Sequence, residues 1–215
     1  MKPFENFRGI AMPMMRPDID TEQMINRDFL ITASRKGLSK GLFHDLRYRN
    51  GEKQADFVMN LPQYRDAKVL IGGPNFASGS SREHAVWAVV DYGIGAVIAP
   101  SYGVHFYRNA LKNGLLPVIL PLADVAEIAA AVEASNGSCE VAVSLTEQTV
   151  KLDNGKEYAF EIHSEAKEAL LAGLDDIERT LRRSTRISAF QAKDRLERPW
   201  VYLSKGQAPT EISPE

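Results

Sequence analysis

Chemistry is densest at Asn75-Phe76-Ala77-Ser78-Gly79-Ser80-Ser81-Arg82-Glu83-His84. The apolar run Lys68-Val69-Leu70-Ile71-Gly72-Gly73 precedes it, and residues 85–91 read as a helix stopped near Gly93. A small-residue loop therefore opens onto a helix N-terminus, whose unpaired N–H groups and positive dipole end attract anions. Gly79 allows close backbone approach, Ser80 and Ser81 offer hydroxyls, and Arg82 offers a planar fork suited to a carboxylate. A small organic acid fits better than a nucleotide. The phosphate-binding Gly-Lys-Ser/Thr ending is missing, and the glycine spacing is not that of a dinucleotide fingerprint. Ser80-x-x-Glu83 is also a capping box in its own right, so one hydroxyl can cap the helix while the other faces a ligand. Nothing here has the Gly-x-Ser-x-Gly pattern of a hydrolase nucleophile.

Two further segments hold candidates. Asp20 and Thr21 lie in the acidic turn Asp18-Ile19-Asp20-Thr21-Glu22, where both types also serve as plain turn caps. Arg35, Gly37 and Leu38 lie in a stretch, residues 34–55, that reads as a long loop or a pair of short strands. No metal site is indicated, because His44, His105 and His163 have no ligand spacing with one another or with Cys139. His84 reads as a hydrogen-bonded structural residue, and Tyr102, Phe106 and Tyr107 as core aromatics. The cluster Arg179, Arg182, Arg183 and Arg186 reads as a solvated or partner-facing surface.

The elements that must position these residues are legible from hydrophobic runs and breakers. Strands at residues 68–73, 95–100 and 115–120 alternate with helices at 85–91, 102–113 and 123–135, which implies a parallel or mixed sheet with crossover helices. Residues 5–33 give a strand, a loop and a short helix or strand. After residue 136 the pattern turns to successive strands at 139–145, 149–152 and 156–162, the last two joined by Asp153-Asn154-Gly155. Helices follow at 164–171 and from 174 to about 198, broken at Gly173. The fold class is α/β: one domain over residues 1–198 with an irregular tail at 199–215.

Composition narrows the class of function. The chain has 215 residues, net charge −2 and 44% hydrophobic residues, enough for a real core. A balance of 26 basic against 28 acidic residues leaves no nucleic-acid footprint. No apolar run approaches the ~20 residues that span a bilayer, and the N-terminus lacks a secretory apolar segment. One cysteine excludes an internal disulfide and cannot by itself hold an iron–sulfur cluster. A cytoplasmic protein is expected.

The motif, with Trp87-Ala88 and Asp91-Tyr92-Gly93 after it, closely resembles the small subunit of 3-isopropylmalate dehydratase (isopropylmalate isomerase), a relative of the aconitase swivelling domain. The likeness continues through Asp18-Ile19-Asp20-Thr21, Asp45, Arg47-Tyr48, Asp56-Phe57-Val58, Ala99-Pro100-Ser101, Phe106-Tyr107, Lys112-Asn113-Gly114-Leu115-Leu116-Pro117, Gly173-Leu174-Asp175-Asp176-Ile177 and Ala189-Phe190-Gln191-Ala192-Lys193. It covers roughly residues 5–198 in order. The resemblance implies a three-layer β/β/α swivelling fold with a mixed, partly barrel-like sheet. It also implies a heteromeric hydro-lyase whose large subunit carries a [4Fe–4S] cluster, with no cofactor in this chain, and a small dicarboxylate substrate. By the same resemblance Ser80 is the general base, Ser81 and Arg82 hold substrate carboxylates, Asp20 and Thr21 lie near the site, and Arg35 to Ser39 is the specificity loop. That loop reads Arg-Lys-Gly-Leu-Ser where most members read Arg-Thr-Gly-Phe-Gly, and Glu22 stands where most carry Asp. Glu178-Arg179 replaces a usual Gly-Leu. These departures keep a paralogue acting on another methyl-substituted malate or maleate in view, beside a non-catalytic anion-binding module. Self-association of the isolated chain stays open.

Overall fold

The computed structural model describes residues 1–31, 34–79 and 82–202. They belong to two compact units, Met1–Leu174 and Asp175–Glu215. The first unit opens with β1 (Phe7–Met14), the short helices α1 (Thr21–Met24) and α2 (His44–Arg47), and the hairpin β2 (Tyr48–Arg49) and β3 (Glu52–Lys53). An alternating stretch follows: β4 (Val69–Gly72), α3 (His84–Tyr92), β5 (Ala96–Ala99), α4 (Val104–Lys112), β6 (Leu116–Ile119) and α5 (Leu122–Ala134). The strands β7 (Glu140–Ser144), β8 (Thr149–Leu152) and β9 (Glu157–Ala159) and the helix α6 (Ser164–Ala172) complete it.

One seven-stranded mixed sheet, in the order β6-β5-β4-β1-β7-β8-β9, organises the unit. β1 joins its two halves. Its C-terminal part runs parallel to β4 in the register Ala11↔Val69 to Met14↔Gly72. Its N-terminal part runs antiparallel to β7, Phe7↔Val143 to Ile10↔Glu140. Every residue of β4 and β5 is buried, as crossover helices on a parallel sheet require. α5 supplies part of that cover, burying Val125, Ile128, Ala129 and Val132, the i, i+3, i+4, i+7 stripe of an amphipathic helix. α3 stops where expected, because Gly93 takes φ +106° and donates its N–H to Val89 and Val90.

The second unit departs from the single long helix expected there. It has α7 (Asp176–Leu181) and α8 (Ser184–Glu197), separated at Arg182 and Arg183. Asp175 and Glu178 form a reciprocal capping box that fixes the start of α7, whereas α8 begins at Ser184-Thr185 with no side-chain cap. Residues Pro199–Tyr202, expected to be irregular, form a 3-10 turn. Asp194 is the buried polar residue of α8. It accepts from Arg198 Nε at 2.6 Å and from the Tyr202 hydroxyl at 2.8 Å.

Candidate functional site

Three loops meet at the carboxyl ends of the neighbouring parallel strands β1, β4 and β5, the edge at which open α/β sheets place ligands. The loop after β4 is held from both sides. Toward β1, Asp18 N donates to Pro74 O at 3.0 Å, Ser78 N to Ile19 O at 3.1 Å, and Thr21 N to Ser78 O at 2.9 Å. Toward β5, Phe76 N donates to Ser101 O and Gly103 N to Phe76 O, at 3.0 and 2.9 Å. The packing has no slack. A Cβ on Gly73 would lie 2.4 Å from Arg16 O, and one on Gly103 would lie 2.4 Å from Ala77 O. Asn75 and Ala77 are forced to φ +54° and +57°. For Ala77 that conformation costs roughly 1–2 kcal/mol, a strain tolerated only where surrounding bonds dictate the backbone.

This interlock brings the acidic turn to the anion motif. A Cβ on Gly79, at φ +94°, would meet Thr21 Oγ1 at 3.5 Å and Asp20 Cβ at 3.9 Å. Asp20 does cap α1, accepting from Gln23 N at 2.7 Å with the Gln23 amide reaching back, so its local role is realised. Ser80 and Ser81 lie outside the described residues. Beyond them, Arg82 and Thr21 line one small cleft together with Glu22, His84 and the apolar side chains of Ile25 and Leu30. α3 itself begins at His84 with Glu83 in the cap position, where its side chain makes no cap bond. Glu83 is thus not the third helical residue that the capping-box pattern makes it.

The Arg35–Ser39 segment reaches the same helix. The Arg35 guanidinium lies 5.2 Å from the Trp87 ring centroid, and Trp87 also packs on His84 at 4.7 Å. Ser39 N donates to Asp91 Oδ2 at 2.8 Å, and Trp87 Nε1 to Asn113 Oδ1 at 3.0 Å. Gly37 turns the chain at φ +84°. Leu38 is only 2% exposed, so it packs in the core and does not wall an open cleft.

Sequence reasoning missed Ile25 and Leu30, although the acidic turn followed by the apolar run Phe29-Leu30-Ile31 was a usable signal. It also placed Tyr102 only as core. The Tyr102 hydroxyl lies 2.6 Å from Val97 O and 2.9 Å from Val118 O, and burial pushes its pKa well above that of a free phenol. It therefore stays a protonated donor that ties the Ser101–Gly103 turn to β5 and β6. A wider, open groove of about 510 Å³ passes Met15, Arg16, Asp45, Arg49 and Asp56, with charges of both signs. There the Asn26 amide, and then His44, hold the Asp45 carboxyl below its usual range.

Among the described residues, no three His, Cys, Asp or Glu side chains converge on a metal position. Cys139, the one cysteine in the sequence, is half-buried beside Ser135, and a single thiolate falls short of the three or four that hold an iron–sulfur cluster. No helix among the described residues is long and apolar enough to cross a membrane.

Residues 1–123 match the family model of the aconitase C-terminal domain, and residues 126–164 match a second model, LeuD_N. The chain is 43% identical over 206 residues to a "3-isopropylmalate dehydratase small subunit" of Cupriavidus necator, covering 94% of this chain and 99% of that one. Proteins of the same name from Dinoroseobacter shibae and Leptospira interrogans are each 45% identical, again over 94% of this chain. A solved 3-isopropylmalate dehydratase (leuD) structure from Methanocaldococcus jannaschii superposes with a TM-score of 0.63 at 25% identity, over 86% of this chain and 99% of that one. With near-complete coverage in both directions, the chain belongs to the 3-isopropylmalate dehydratase small-subunit family, built on the aconitase C-terminal domain.

Proposed function

We propose that the chain is the small subunit of a heteromeric hydro-lyase that interconverts 2-isopropylmalate and 3-isopropylmalate by dehydration and rehydration, in leucine biosynthesis. The observation that carries the site assignment is the juxtaposition of Gly79 with Thr21, beside a cleft that has Arg82 at its polar wall and Ile25 and Leu30 at its apolar wall. The cleft itself, about 10 Å³, has room for no more than a water, so it marks where a substrate carboxylate meets Arg82, and the branched alkyl group lies outside it.

In this reading Ser80 takes the proton from the carbon beside a substrate carboxylate and returns it on rehydration. Serine is a weak base unless its alkoxide is stabilised. The positive charge of Arg82 and the N-terminal end of α3 supply that stabilisation in place, as preorganised electrostatics do. Ser81 and Arg82 hold carboxylate oxygens, with Asp20 and Thr21 flanking them. Arg35, through Trp87, and Leu38, buried on the turn that Gly37 opens against α3, set the position of the helix end and act on substrate choice indirectly. The large subunit is the partner expected to carry the [4Fe–4S] cluster, since this chain lacks the thiolates for one. When bound, the cluster supplies a Lewis-acidic iron to the leaving hydroxyl.

The test is turnover after mixing the chain with a cluster-reconstituted large subunit, followed by alkene absorbance with 2-isopropylmalate and smaller analogues. Ser80→Ala is expected to abolish turnover while leaving the complex assembled; normal turnover by that variant would overturn the assignment. Activity confined to a smaller diacid would transfer the same chemistry to another substrate. The unusual Arg35-Lys36-Gly37-Leu38-Ser39 sequence favours including that arm.

A further inference from the structure

The loop that leads to the anion motif carries a side-chain link that its packing does not demand. Asn75 Nδ2 donates to Asp18 Oδ1 at 2.9 Å, and the Asn75 backbone N–H donates to Ser101 Oγ at 2.8 Å. Asp18 and Asn75 both hold left-handed backbone, at φ +54° each. Both are exposed, so neither contributes to the core, and an exposed hydrogen bond of this kind adds little to global stability. Its place is nonetheless particular. Asp18 lies two residues before Asp20, and Asn75 three residues before Ser78, the two residues paired in an isolated bridge just ahead of Gly79. The link therefore spans the two strands of chain whose separation fixes where Gly79 sits against Thr21.

We propose that Asp18 and Asn75 are paired positioning residues, setting the placement of Gly79, at the start of the anion-binding segment, without touching the substrate. The proposal rests on the reading that this segment binds a substrate carboxylate. Because misplacement of reacting groups by about 1 Å can cost ~100-fold in rate, the expected effect lies in catalysis and not in folding.

The experiment uses the assembled complex with the large subunit and exploits the chemistry of the pair. Asp18→Asn keeps an oxygen that can accept from Asn75, so it is expected to retain turnover within about threefold, the size of a perturbed but intact hydrogen bond. Asn75→Asp sets two carboxylates against each other and is expected to lower kcat by about tenfold or more. The double exchange Asp18→Asn with Asn75→Asp swaps donor and acceptor and is expected to recover most of that loss. Asn75→Gly keeps the left-handed backbone accessible and removes only the side chain, so its Tm and complex formation should stay at the wild-type level while kcat falls. No recovery in the double variant, or an unchanged kcat in Asn75→Asp or Asn75→Gly, would overturn the proposal. So would an activity loss that merely tracks Tm or assembly. Failure of the underlying reading is separate: it would show as full activity of Ser80→Ala with Asp18 and Asn75 intact.

Discussion

The two halves of the sheet share one strand and little else. In the parallel half, β4 and β5 are buried along their whole length, and their connections cross over through α3 and α4. In the antiparallel half, burial alternates along β7 and β8, and the connection from β8 to β9 is the tight Asp153-Asn154-Gly155 turn. Crossovers deliver loops of usable length to one edge of the sheet, and hairpins do not. That is why every described candidate residue of the first unit falls on or beside the parallel half, while β7 to β9 serve as scaffold.

The contrast can be broken or sharpened by substitution. The largest loss of stability is expected from Ile71→Ala in β4, a fully buried side chain whose truncation costs about 2–5 kcal/mol; denaturant unfolding of the isolated chain measures it. Gly103→Ala has a different target. Its new methyl would meet the backbone of Ala77 and Ser78 and push the anion loop, lowering kcat of the complex by roughly 100-fold, more than its stability cost would account for. Gly155→Ala is the matched control in the other half. With no neighbour within 4 Å and φ +85°, it should cost about 1 kcal/mol of stability and leave turnover unchanged. A catalytic defect there would end the division between working edge and scaffold. Arg8→Ala removes an exposed ion pair with Asp153 across the antiparallel half, and less than about 1 kcal/mol should be lost.

The smallest effect is one of pH. The Asn26 amide and His44 depress the Asp45 carboxyl, so this contribution is present above the ordinary carboxylate value of 3.8 and is lost as pH falls through the lower, folded value. Asn26→Ala should lower stability by a small, constant amount through the neutral region and flatten that acid limb, so that the two unfolding profiles converge at low pH.

What the sequence made legible follows from what leaves a local signature. Apolar runs ending at Gly72-Gly73 and Pro100 marked β4 and β5, and Gly93 marked the end of α3, because buried strands and left-handed caps restrict residue type directly. The motif's acidic neighbour was recognised, but its contact with Gly79 depends on the bridge between Asp20 and Ser78, which brings together residues far apart in the chain. The burial of Leu38 beside α3 and the apolar wall of Ile25 and Leu30 are tertiary facts of the same kind. The break between α7 and α8 was missed because Arg and Leu there are good helix formers, and the interruption rests on the weak start at Ser184.

The shared strand has a consequence for synthesis. β1 leaves the ribosome well before its antiparallel partner: Ile10 pairs with Glu140, about 130 residues later, a delay on the order of ten seconds at ordinary translation rates. Over that interval an apolar strand, with Ala11, Met12 and Met14 bound for the core, presents free hydrogen-bonding groups along its antiparallel edge. Nascent chains stalled before β7 should therefore bind holdase chaperones and resist aggregation poorly, and those stalled after β8 should be released.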